Sequence, residues 1–405
     1  MKLLIVLTAT FPYDSGEEFL STEVRFIRGF DRVLVCPCNL KPASVVTKQL
    51  PEGISCYPLK PAKSGKLFYA RLLFQPYILD EIKSLIGAGR LTHNRVHEML
   101  FFMKHAFALY DALQSVPELR SADDVTIYSY WFYDAAAAGV LLAQDLKKQG
   151  IQVRQISRAH GFDVHPERAK YNYLPMRKFL LKHVDKLYPC SQNGADVINR
   201  NCPGFSDKIQ PAFLGTSDYG VKKGCRHNEF HLVSCSYLLP VKRLNLVIQA
   251  LQQADFPLRW THIGSGPLED EIKQLASQLP EYVNTEFLGQ MDNIAIMEYY
   301  KKNDISVFVN VSSSEGIPVA VMEACSFGIP IVATDVGGTS EVVQNGENGY
   351  LLAADFAPAV LLEKLHMLKE LPALEYDHLC NQSRKLWEEK FSAAQNYRKF
   401  YEEII

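Results

Sequence analysis

Short β-branched runs alternate with longer segments of helical period along most of the chain, a pattern that predicts parallel sheets joined by crossover helices. In the first half the apolar runs predict strands at 3–8, 32–36, 125–130, 153–159 and 186–190. A second series follows at 231–236, 258–264, 285–289, 305–310 and 329–334, with helix-length segments such as 244–253 and 268–278 between its members. Between the two series the stretch GTSDYGVKKGCRHNEF is polar, contains glycine and has little periodicity, which places a linker at 216–229. The reading is therefore α/β, with two doubly wound Rossmann-like domains at 1–215 and 230–385 facing across a cleft. Ligands in such sheets bind beyond the carboxyl ends of the strands. The last segment, 386–405, is amphipathic at helical period, is expected to break near Phe391 and Ser392, and is expected to cross back to the first domain.

Length and composition agree with this division. A chain of 405 residues is too long for one compact core, and 47% hydrophobic with 22% charged residues reads as soluble and globular. Forty-three basic against 45 acidic side chains give a net charge of -2, which removes any global electrostatic case for nucleic acid as a partner. The opening MKLLIVLTATFPYDSGEE has a short apolar run and a single early Lys2, so it reads as a buried first strand and not as a signal peptide. No apolar run reaches the roughly 18 residues of a membrane span. Nine scattered cysteines fit reduced thiols of a cytoplasmic protein, with Cys36 and Cys38 read as strand-end packing. The segment at about 60–118 is rich in Lys, Arg and aromatic residues at helical period. It reads first as a helical insertion packed on the first domain, and second as a surface for peripheral association with the inner face of an anionic membrane. His93 and His97 share a helix face without a third ligand, and read as a solvated or packed pair.

The chemistry concentrates in EGIPVAVME at 315–323. Pro318 suits a helix start and Gly328 a helix stop. The free N–H groups and positive dipole end of such a helix seat an anion such as phosphate. Carboxylates beside a phosphate would be repelled by it, so Glu315 and Glu323 make sense if they accept from neutral hydroxyls on either side. A nucleotide sugar has hydroxyls on both sides of a diphosphate. Taken alone, the nonapeptide fits two exposed glutamates near a helix start equally well.

The surroundings separate these readings. EGIPVAVME, the following GIPIVATDVGGTSEVV and NGENGYLL, and the upstream HIGSGPLEDEI and SCSYLLPVKRLNLVIQAL resemble the retaining GT-B glycosyltransferases of family 4, the glycosyl transferases group 1. The resemblance covers about residues 231–355. It is looser in the first domain, through TATFPYDSGEEFLSTEV and ISRAHGFD. It implies that Glu323 binds the ribose diol, that Glu315 orients the donor sugar, and that Lys242 holds the diphosphate. Gly316, Ile317 and Val319 would line the same donor site. Ser236 stands where the family usually has an arginine, and Arg243 is the candidate replacement. Gly16 would bring backbone close to the donor phosphate, Gly264 would approach the nucleotide, and His160 would be the histidine near the reacting sugar, with Asp163 and Tyr130 as weaker candidates.

The implied reaction moves a hexose from a UDP- or GDP-linked sugar to a hydroxyl of a glycan or lipid-linked oligosaccharide in polysaccharide biosynthesis. The resemblance implies retention by front-face attack, with a donor phosphate oxygen taking the acceptor's proton. No D-x-D lies near a strand end, so the reading has no metal site and no cofactor, and protein cations stabilise the leaving diphosphate. The alternatives are a nucleotide-sugar epimerase and a noncatalytic sugar-nucleotide-binding protein of the same fold. GSGPLE lacks the third glycine of a dinucleotide fingerprint, which disfavours an NAD-dependent oxidoreductase.

Overall fold

The computed structural model describes residues 1–14, 16–61, 72, 75–221 and 229–405. It divides into two compact units, Met1–Phe213 with Tyr397–Ile405, and Leu214–Asn396. The part of the expected linker at 222–228 and the part of the expected insertion at 62–71 and 73–74 lie outside the described residues.

In the first unit six parallel strands, β1 (Lys2–Thr8), β2 (Arg32–Pro37), β3 (Ile54–Cys56), β4 (Asp124–Ser129), β5 (Gln152–Ala159) and β6 (Lys186–Pro189), stand in the order β3-β2-β1-β4-β5-β6. The central strand β1 is apolar on both faces because both faces are covered. Leu3, Ile5 and Leu7 enter one cluster with Leu109, Leu113 and Ala138, whereas Leu4 and Val6 enter another with Tyr128, Phe400, Tyr401 and Ile404. The alternation follows from the period of two along a strand. Helix Asp134–Lys148 begins with a run of alanines and lies so close to the sheet that a Cβ on Gly139 would be 2.6 Å from Gln155 Oε1. Of the insertion, helices Pro76–Gly87 and His93–Leu113 are described, the latter burying Met99, Phe102, Met103, Ala106 and Leu109. Cys36 and Cys38 are buried in the core.

The chain returns to this unit at its end. Helices Ala373–Lys390 and Ala393–Ile404 are separated at Phe391 and Ser392. In the second helix Tyr397, Phe400, Tyr401 and Ile404 are buried, a spacing that puts them on one stripe. They cover a buried ion pair in which Arg158 Nε is 3.4 Å from Glu23 Oε2, both side chains being inaccessible. Tyr128 donates to Glu23 (2.8 Å) and accepts from Arg158 (2.9 Å), and Tyr401 donates to Glu23 at 3.3 Å.

The second unit repeats the plan with β7 (Phe230–Cys235), β8 (Leu258–Ile263), β9 (Val283–Phe287), β10 (Val307–Asn310), β11 (Ile331–Thr334) and β12 (Gly349–Leu352), in the order β12-β11-β10-β7-β8-β9. All pairs are parallel. The chain lays β8 and β9 on one side of β7, then crosses to lay β10, β11 and β12 on the other. The β7/β10 boundary is therefore the topological switch point, where loops diverge and leave a crevice beyond the strand ends. The edge strands β3 and β12, absent from the sequence reading, are three and four residues long.

Candidate active site

The loops that leave β7 and β10 meet at the switch point. Pro240–Lys242 forms a single 3-10 turn whose carbonyl at Val241 accepts from Ser313 N–H at 2.8 Å, which draws the two loops together. Lys242 Nζ then lies 2.8 Å from Glu315 Oε1. Asn310, the last residue of β10, donates to the same Glu315 oxygen at 3.2 Å, while its own Oδ1 accepts from Ser312 N–H (3.1 Å) and Ser312 Oγ (2.6 Å). Lys242 and Glu315 are 24% and 12% exposed, so their charges are neither freely solvated nor sealed away.

Two glycines close the back of this loop. Gly337 has φ +58°, and a Cβ there would stand 1.8 Å from the Glu315 carbonyl oxygen. Gly338 N–H donates to the Gly316 carbonyl at 2.7 Å. The sequence VGG after β11 is thus required by the close passage of its own backbone over residues 315–316. Gly264 (φ +134°) is fixed in the same way, since its Cβ would meet the Ser236 carbonyl at 2.0 Å. Its requirement for glycine comes from the chain itself.

Pro318 caps helix Val319–Ser326 in extended conformation, and no side chain caps the first turn or places an acid in it. The helix ends at Ser326, and Gly328 follows with φ +75°. Ile317 is buried beneath the helix start, and Val319 opens the helix half-buried. One turn further on, Glu323 accepts from Asn293 Nδ2 at 2.6 Å. Burial pushes its carboxyl up to about 7, against the opposing effect of the Asn293 bond. Cys235 and Tyr300 share this environment, and burial followed by the Glu323 charge pushes the Cys235 thiol up to about 12.

Arg243 is turned elsewhere. Its φ of +49° swings the side chain under the loops, where Nε donates to Val311 O (2.8 Å), Nη1 to Ala354 O (2.7 Å), and Nη2 to Ser312 O (3.2 Å) and Thr334 Oγ1 (3.3 Å). Each guanidinium nitrogen is committed to the loops after β10 and β12 or to the last residue of β11. Arg243 braces the loop after β10, which carries Glu315, and Lys242 alone of the two cations faces Glu315.

In the first unit the switch point lies between β1 and β4. Gly16 is exposed with φ +114°, in the loop after β1. Its neighbour Glu17 is nearly buried, and its carboxylate accepts from Ala9, Thr10 and Phe11 N–H, each at 2.8 Å, and from Trp131 Nε1 at 2.7 Å. Successive backbone N–H groups of this kind form an anion nest. Here the chain's own carboxylate fills it. Sequence reasoning missed Glu17; the available signal was an acid following a glycine-marked loop at the end of a first strand.

His160 follows β5, its ring 4.5 Å from the rings of both Tyr130 and Trp131. Burial, then the Arg158 charge, lowers its pKa to about 3, so it is a neutral imidazole at physiological pH. Asp163 holds the turn by accepting from His160 N–H (2.7 Å) and Phe132 N–H (2.9 Å). The second unit thus brings together Lys242, Glu315, Gly316, Ile317 and Val319, with Glu323 a turn along the helix. In the first, Gly16 and His160 are connected through Glu17 and Trp131. His93 and His97 are exposed, and no group of three metal-ligating side chains occurs among the described residues.

Residues 219–386 match the family model of glycosyl transferases group 1. The chain is 27% identical over 269 residues to the putative colanic acid biosynthesis glycosyltransferase WcaL of Escherichia coli K12, an alignment covering 63% of this chain and 65% of that protein. It is 24% identical to the amylovoran biosynthesis glycosyltransferase AmsK of Erwinia amylovora, covering 55% and 57%. The chain thus spans less than two thirds of the length of these relatives. Among solved structures it is similar to the lipopolysaccharide outer core galactosyltransferase WaaB (TM-score 0.69, 15% identity, 100% and 99% of the two chains). It is also similar to Anabaena HepE in complex with UDP-glucose (TM-score 0.62, 15% identity, 100% and 99%). The fold is GT-B.

Proposed function

We propose that this protein is a retaining, metal-independent glycosyltransferase that moves a hexose from a UDP- or GDP-linked sugar to a hydroxyl of a glycan or lipid-linked oligosaccharide. The observation that carries the reading is the Lys242–Glu315 pair at 2.8 Å, set at a switch point beside a helix whose first turn has no side-chain cap. A diphosphate docked against that turn meets N–H donors, the positive helix end and Lys242 together. Lys242 transfers its interaction from Glu315 to the leaving phosphate, and the freed carboxylate accepts from a hydroxyl of the donor sugar. Glu323 accepts from the ribose diol.

As the anomeric bond ionises, negative charge grows on the diphosphate, where these fixed donors already point, and preorganised donors of this kind lower a barrier by about 3 kcal/mol each. A donor phosphate oxygen takes the acceptor's proton, so no side chain need serve as general base. His160, a neutral imidazole with both ring nitrogens buried, is not called on to take that proton. Peripheral contact with an anionic membrane is supported by exposed apolar side chains, Leu79, Ile86 and Phe101, on helices Pro76–Gly87 and His93–Leu113. No helix of the described residues is long and apolar enough to cross a bilayer.

The test is incubation with UDP- and GDP-hexoses and a panel of glycan acceptors, with and without EDTA. The reading expects nucleotide release that requires acceptor, persists in EDTA, and yields a product of unchanged anomeric configuration by proton NMR. Release without acceptor would instead indicate a hydrolase, conversion of the donor into an isomeric nucleotide sugar without release would indicate an epimerase, and no binding of either nucleoside diphosphate would overturn the reading.

A further inference from the structure

The first unit presents an aromatic face that the donor chemistry does not use. Trp131 follows β4 and Phe162 lies in the turn after β5, on the carboxyl side of the sheet. Their ring centroids are 5.0 Å apart, Trp131 is 4.5 Å from His160, and Phe162 is 5.8 Å from Tyr133. Phe162 nevertheless remains 45% exposed. This exposure is held in place. The turn carrying Phe162 is pinned on one side by Asp163, which accepts two backbone N–H groups, and on the other by Val164 and His165 N–H donating to Gly161 O. Trp131 is fixed through its indole N–H by Glu17.

We propose that Trp131 and Phe162 form a platform on which a pyranose ring of the acceptor stacks, with Glu17 as the positioning residue that sets the indole plane. The charge around the face argues for a neutral ligand with an apolar side. Glu17 already accepts four hydrogen bonds, Asp134 is paired with His105 at 2.6 Å, and His160 is neutral. A phosphate would find no free cation among these groups, and a cation no free carboxylate. A pyranose turns a face of C–H groups to an aromatic ring and keeps its hydroxyls at the rim. A site of aromatic walls with few polar groups binds ligands of that kind. That the stacked sugar is the acceptor rests on the transferase reading above; that the face binds a sugar does not.

Saturation-transfer NMR tests the platform with methyl α-glucoside, methyl α-galactoside, methyl α-mannoside and methyl β-N-acetylglucosaminide, beside calorimetric titration of UDP and GDP. Expected is saturation of the ring C–H protons of at least one glycoside with the wild-type protein, weakened about tenfold by Phe162→Ala and kept by Phe162→Trp. Nucleoside diphosphate affinity should stay unchanged in both variants. Trp131→Phe keeps a ring but removes the bond to Glu17, and should weaken the glycoside signal while leaving the circular dichroism spectrum intact. Absence of transfer to all four glycosides, or equal transfer with Phe162→Ala, overturns the platform. Loss of nucleotide affinity in Phe162→Ala overturns it in favour of a nucleobase occupant. Glycoside stacking by a protein that binds neither UDP nor GDP would leave the platform standing and remove the transferase reading.

Discussion

Under the proposed function, Glu323 would join burial to recognition of the ribose diol in one side chain. Its carboxyl titrates higher in the folded protein, about 7 against an ordinary 4.5, because burial disfavours the charge. The neutral form therefore contributes stability that is complete below about pH 4.5 and is lost as pH rises through about 7. A diol donates two bonds only to the ionised carboxylate, so UDP or GDP affinity should rise between about pH 6 and 8 while the ligand-free protein grows less stable. Glu323→Gln should flatten both trends, as followed by calorimetry and thermal melts across that range. If the proposed transfer is right, Lys242→Ala removes the cation that would face the leaving group and should lower kcat by about 10²- to 10³-fold in a transfer assay. Glu17→Ala would leave four donors without an acceptor. At about 1 to 3 kcal/mol for a buried group stripped of its partner, with Phe11 N–H buried and the other three only partly so, the loss should reach about 2 kcal/mol in urea unfolding.

Elements place these residues by exchanging backbone contacts. The loop after β11 can lie over residues 315–316 only because position 337 has no side chain, and φ +58° adds strain for any other residue. Gly337→Ala should therefore cost more than about 2 kcal/mol and weaken nucleotide binding together with stability, as read from melting temperature and calorimetry. Legibility from sequence divides along the same line. The central strands, the helix stop at Gly328 and the order of the motifs could all be read, because each depends on local period or local turn chemistry. The edge strands β3 and β12 could not, since three or four residues make no period. Arg243 was expected to serve the phosphate, as the neighbour of Lys242. Its left-handed backbone instead sends the guanidinium to two loops and a strand end that are distant in sequence, a direction no local pattern encodes.

Across the whole molecule, the first unit is completed by the far end of the chain. Phe400, Tyr401 and Ile404 enter the cluster of Leu4, Val6 and Tyr128, and Tyr397 packs on Phe26 and Arg158, over the Glu23–Arg158 pair. Removing residues 397–405 should strip that cluster and expose the charges, so the shortened chain is expected to lose protection of residues 1–213 in hydrogen exchange and limited proteolysis. Removing one partner, as in Arg158→Ala, leaves a buried charge alone and should cost about 3 to 5 kcal/mol. The sequence by itself determined the two α/β patterns, the polar stretch between them and the amphipathic stripe at the end, since these follow from periodicity and composition. Only the tertiary structure decided that Lys242 faces Glu315, that Glu17 fills the nest after β1, that His160 is neutral between two rings, and that Arg243 is a brace. Hydrogen-bond partners and dielectric surroundings depend on which loops the crossovers bring side by side, and those loops are separated by tens of residues along the chain.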